Sequence, residues 1–147
     1  MKNLLIILFI GGALFSCSEP SDHIVPDFED MKTDLDLIVK HLPTDPIYNS
    51  ELNKFVRVNE LSKESQELIN RLDLNNVYYV ILSTTSCSDA NGFELEIVFE
   101  GDWHLCYSPC EVSFISPGEH KEMNDHFIES WGLDSNWYLW VNRDFIG

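Results

Sequence analysis

The residues best equipped for chemistry fall in the second half of the chain. His104 follows Glu96 and Glu100 closely enough for a hairpin to bring the three together. An imidazole beside carboxylates can ligate a divalent metal or carry a proton in acid–base work. The same trio is ordinary on a solvated strand face, and no nucleophile or second histidine adjoins it. Three cysteines form a second group: Cys87, Cys106 and Cys110. With Cys17 of the N-terminal segment set apart from the chain's four cysteines, an odd number remains, which allows one disulfide and one leftover thiol. Cys106-x-x-x-Cys110 would also suit copper or redox work, but the spacing is unspecific and lacks the strand-then-helix context of a thioredoxin-like site. His120 and His126 are six apart, which on a helix separates their faces, unlike the i, i+4 pair of a zinc helix. G-x-S-x-G, H-E-x-x-H, the phosphate loop and the dinucleotide fingerprint are all absent. Nothing in the sequence asks for a cofactor or a resident metal. Trp131, Trp137, Tyr138 and Trp140 crowd the C-terminus; they build a core or, if exposed, meet a sugar or a protein partner.

Hydrophobic period indicates the elements that must place these groups. Phe28, Met31, Leu35, Ile38, Val39 and Leu42 make one helical stripe, so a helix is expected over Asp27 to Leu42. Asp27 can cap it, Glu29 and Asp30 suit its first turn, and Pro43 stops it. Phe55 to Val58 fits either a short strand or part of a helix. Ser62 caps a second helix reaching Leu72. From Val77 the period changes. Val77 to Leu82 is apolar on both faces, a central strand, and Phe93 to Glu100 alternates, a strand with one wet face in an antiparallel sheet. Trp103 to Ser108 returns beside it.

The register of that return decides which groups can meet. A two-residue loop at Gly101-Asp102 would turn His104 and Cys106 onto the apolar face. A three-residue loop pairs Phe99 with Trp103, Ile97 with Leu105 and Leu95 with Tyr107, gathering the large apolar side chains on one face. Burial selects the second register. His104 and Cys106 then share the wet face with Glu94, Glu96 and Glu100. Cys87 comes to the same end of the sheet as Cys106 and Cys110, so a disulfide from Cys87 to Cys110, or to Cys106, is feasible, whereas Cys106 to Cys110 is tight. Glu111 to Ser116 suggests another short strand. Ser116-Pro117-Gly118-Glu119 reads as a capping box opening a helix that runs to about Trp131 and closes at Gly132. Trp137 to Arg143 is a last strand. The expected fold is α+β: N-terminal helices packed on a four- to five-stranded antiparallel sheet, with a late helix before the last strand.

The N-terminus is of another kind. Lys2 precedes an uncharged apolar run from Leu4 to Phe15. As a helix these residues reach about 18 Å at ~1.5 Å each, short of a hydrocarbon core of ~30 Å. A cleaved secretory signal is the better description. Leu14-Phe15-Ser16-Cys17 resembles the lipobox of bacterial lipoprotein precursors. The resemblance implies cleavage before Cys17, diacylation of its sulfur and acylation of the new amino terminus. In the sorting rule of that family Asp after the Cys retains the protein at the inner membrane, so Ser18 implies the outer membrane. The organisation expected is a signal peptide over 1–16, a lipidated Cys17 with a polar, two-proline tether over 17–26, and a single globular domain over 27–147.

Cleavage would leave 131 of the 147 residues, enough for a core without metal or disulfide help. Lys2 leaves with the signal, so eight of nine basic residues remain against 25 acidic ones, a formal charge of −17. Such a surface is a poor partner for nucleic acid, whose phosphates need Lys and Arg. It is equally unsuited to anionic lipid, so membrane contact must come from the N-terminal acyl chains. A basic protein is the partner its charge would suit. The function expected is a lipid-anchored envelope lipoprotein displaying a small acidic binding domain; the alternative is a metal-assisted hydrolytic enzyme using His104 with Glu96 or Glu100.

Overall fold

The computed structural model describes residues 19–48, 52–85, 87, 92–110, 112–123 and 127–145. Helix α1 spans Pro20–His41 and buries Ile24, Phe28, Leu35 and Ile38. It starts at Pro20, not Asp27, so residues 20–26 belong to the helix and not to a tether. Pro20 sits at the first helical position, where its missing N–H costs nothing. The Asp22 carboxylate accepts the Glu19 N–H at 3.1 Å. Pro26 lies inside the helix and removes one backbone bond. Ile24 and Phe28 flank it, and each buried side chain returns about 1.5–3 kcal/mol. The far end behaves as expected: Leu42–Thr44, carrying Pro43, tightens into a 3₁₀ turn. Helix α2 spans Lys63–Asn70, with the Ser62 hydroxyl accepting from the Ser65 N–H at 3.3 Å.

The strands are β1 Lys54–Arg57, β2 Tyr79–Thr84, β3 Phe93–Phe99, β4 Trp103–Tyr107, β5 His120–Met123, β6 Ile128–Gly132 and β7 Trp137–Asn142. They form one antiparallel sheet in the order β1-β2-β3-β4-β7-β6-β5. The α+β class holds, but among the described residues the sheet has seven strands, and the late helix is replaced by the β5–β6 hairpin. The reason lies at Pro117-Gly118. Gly118 has φ +77°, and the Glu119 N–H closes on the Ser116 carbonyl at 3.0 Å. Pro then Gly in these positions makes a type II turn. The Glu119 carboxylate still reaches the Ser116 N–H at 2.8 Å, so half of the capping box forms without a helix. The short strand expected over Glu111 to Ser116 is also absent among the described residues 112–116, which run as loop. Phe55 to Val58 resolves into β1, ending at Arg57, and a following 3₁₀ turn.

Both helices pack on one face of the sheet. Leu35 and Ile38 of α1, Ile69 of α2 and the inward residues Leu82, Ile97, Leu105 and Leu139 of the strands share the main core. Phe28 meets Trp137 with ring centroids 6.5 Å apart. One polar junction ties the chain below α1 to α2. Buried Asp45 accepts from the Ser65 hydroxyl at 2.5 Å, the Ser62 N–H at 2.9 Å and the Ile47 N–H at 3.2 Å.

Candidate functional site

The β3–β4 hairpin sets the site. Its loop passes through two left-handed residues, Gly101 at φ 75° and Asp102 at φ 55°, conformations that Gly and Asp tolerate best. Phe99 pairs with Trp103, Ile97 with Leu105 and Leu95 with Tyr107. This is the three-residue register that burial demands. It sends His104 and Cys106 to the face opposite the helices, together with Glu96 and Val98.

That outer face is drier than expected. Cys106 is 4% and Val98 7% exposed. The cause is β7, which lies beside β4 and places Trp140 opposite His104 and Tyr138 opposite Cys106. Broad side chains from a neighbouring strand shield what an isolated hairpin would leave wet. The period of Trp137 to Asn142 was the available signal: Trp137 goes inward at 2% exposure, while Tyr138 and Trp140 stay partly exposed on the outer face.

His104 and Glu96 meet, with Nδ1 2.5 Å from Oε1. The imidazole stacks on the Trp140 indole, with centroids 3.8 Å apart and planes at 15°. Glu100 does not join them. It stands in the turn, where Asn76 Nδ2 donates to its Oε2 at 3.4 Å and its N–H donates to the Asn75 carbonyl at 3.2 Å. The trio is therefore a pair. Among the described residues no group of three or more His, Cys, Asp or Glu is placed to hold a metal.

Burial, and then the nearby Glu96 charge, push the Cys106 thiol well above its ordinary range, although hydrogen bonds with Tyr138 and Trp140 pull the other way. The Tyr138 phenol is raised as well, by burial first and by Cys106 second. Cys106 is thus a protonated, free, buried thiol without the exposure or the positive surroundings of a reactive one. Cys87 and Cys110 stand elsewhere, at disulfide distance with Cα atoms 6.1 Å apart. The Thr85 hydroxyl donates to the Cys87 sulfur at 2.9 Å.

Beside the His104–Glu96 pair the outer face sinks into a groove of about 360 Å³, lined by Glu96, Cys106, Phe114, Met123, Ile128, Ser130, Tyr138 and Trp140. Phe114 meets Tyr138 edge-on at 5.0 Å. Its loop is held by Lys121, whose Nζ donates to the Phe114 carbonyl at 2.6 Å and lies 3.2 Å from Glu119. Phe114, Met123, Ile128 and Ser130 escaped sequence reasoning because the β5–β6 hairpin and the loop before it bring them there.

The remaining histidines are scattered. His120 stacks on Trp131 at 4.7 Å and lies 3.4 Å from Glu129, and His126 is outside the described residues, as is Cys17. No described helix is long and apolar enough to cross a membrane. Comparisons with protein-family models, curated proteins and solved structures found no match.

Proposed function

We propose that this chain is a lipid-anchored envelope protein whose acidic α+β domain is a non-catalytic binding module for a basic protein. The anchor is Cys17, acylated after cleavage of residues 1–16, and Ser18 behind it directs the protein to the outer membrane. Three acyl chains supply lasting attachment, since each buried CH₂ contributes ~0.8 kcal/mol. The observation that carries the reading of the domain is its outer sheet face: an aromatic groove with a carboxylate in its wall, in a chain of 25 acidic and nine basic residues. Opposite charge guides such encounters and rejects anionic competitors.

Two experiments test the proposal. Cys17→Ala in the full chain should abolish acylation and detergent-phase partitioning while export continues; unchanged partitioning ends the lipid reading. Affinity capture from envelope and culture fluid, with the wild-type chain in detergent micelles, should enrich a basic protein, and release by salt should follow. Hydrolysis by His104 with Glu96 is the competing use of the same face. It predicts metal-dependent turnover that His104→Gln abolishes; the binding reading predicts no turnover to lose.

A further inference from the structure

The geometry points to the groove between Glu96, Tyr138, Trp140 and Phe114 as the seat for a single arginine or lysine side chain of a basic protein partner. The inference rests on the binding-module reading and names its contact point. Four features converge. First, the groove is small, about 360 Å³, at the lower end of ligand sites; it suits one long side chain better than a cofactor. Second, aromatic rings line it, and guanidinium or ammonium groups are attracted to such faces. Third, carboxylates act on it. Glu96 lies in the wall, and the charges of Glu96 and Glu94 both reach Cys106 and Tyr138, opposing loss of their protons. Fourth, the basic groups at the margin each have a partner of their own. Lys121 is engaged by the Phe114 carbonyl and Glu119, and His104 meets Glu96 through its Oε1.

The rim has the character of a contact surface. Phe114 is 44% and Met123 39% exposed, and Met adapts to varied partners. Apolar rims of this kind exclude water from a central charged contact and strengthen it. Beneath, buried Cys106 lies in the floor opposite Tyr138 across the β4–β7 pairing.

The test uses the full chain in detergent micelles and blocked tripeptides, Gly-Arg-Gly and Gly-Lys-Gly, with Gly-Glu-Gly as the anionic control. Titration followed by NMR should shift the Trp140 indole N–H and the Tyr138 ring with the cationic peptides and not with the anionic one. Glu96→Gln should weaken that binding about tenfold, the scale of a lost charge-assisted contact. Phe114→Ala, at an exposed rim position, should weaken it several-fold and leave the rest of the spectrum in place. Equal binding by wild type and Glu96→Gln overturns the proposal. If the cationic peptides instead shift the exposed acids of α1, Asp27, Glu29 and Asp30, the groove is not the seat while the basic-partner reading stands. Absence of any shift with either cationic peptide overturns the groove as the seat, and the basic-partner reading is then decided by the affinity capture.

Discussion

Asp45 shows how one residue can set a stability threshold. Burial alone would raise its pKa, but hydrogen bonds from Ser65, Ser62 and Ile47 outweigh burial and hold it below the usual carboxylate range. The folded chain therefore binds the proton less well than the unfolded chain. Its contribution is complete above the unfolded value, ~3.9, and is lost as pH falls through the lower folded value. Asp45→Asn should cost about 2 kcal/mol at neutral pH, read from urea unfolding. The difference from wild type should shrink in acid below pH 4; a constant difference would contradict the assignment. Cys106 makes a second residue-scale prediction. Its buried thiol should resist iodoacetamide at pH 8 until the chain is unfolded, whereas rapid native labelling would mean that Tyr138 and Trp140 do not shield it. Neither environment is readable locally. Asp45 looks like a turn residue between two prolines, and Cys106 looks like a wet-face residue until β7 is laid beside β4.

At the scale of elements, the β3–β4 hairpin and both early helices were legible because local pattern and burial agree there. Seven large apolar residues choose one register, and Ser62 caps the helix it precedes. The failures have the same physical origin. Residues 20–26 resemble a tether because two prolines interrupt them, yet one proline occupies a position where it is harmless and the other is outweighed by burial. Residues 116–132 carry a capping sequence and apolar residues at helical intervals, yet a type II turn and pairing with β7 prevail. Gly132 is the sharpest probe of this segment. A Cβ there would run into the Ser116 carbonyl, so Gly132→Ala should destabilise by about 1–3 kcal/mol, measurable as a lower urea midpoint; a helix ending at Gly132 would tolerate alanine far better. Arg143 gives a second test. Its guanidinium bonds Glu19 twice, at 3.0 and 2.7 Å, and Glu129 at 2.8 Å, and it lies 5.3 Å from the centre of the Trp103 ring. Arg143→Ala should cost about 1 kcal/mol and raise hydrogen exchange in the first turn of α1 while β3 stays protected.

For the whole molecule, charge and attachment act together. A formal charge of −16 repels itself, so added salt should raise the urea midpoint by screening that repulsion; a midpoint that falls with salt would mean that the ion pairs outweigh it. Only Ser18 separates the proposed anchor Cys17 from Glu19, which Arg143 grips. A lipidated chain is then held with the start of α1 at the bilayer, and the His41 end stands about 33 Å along the helix axis at ~1.5 Å per residue. A paramagnetic headgroup lipid should broaden Arg143 and the first turn of α1 more than the turn at His41. The sequence by itself determined what depends on near neighbours and on composition: the apolar N-terminal run, the acidity, the alternation of β3, the helical stripe of α1 and the α+β class. Tertiary structure alone decided what depends on non-adjacent strands. The placement of β7 between β4 and β6 dried Cys106, stacked Trp140 on His104 and opened the groove. Those contacts join residues far apart in the chain. Local pattern reports which face a side chain takes, whereas only the strand order reports what stands beside it.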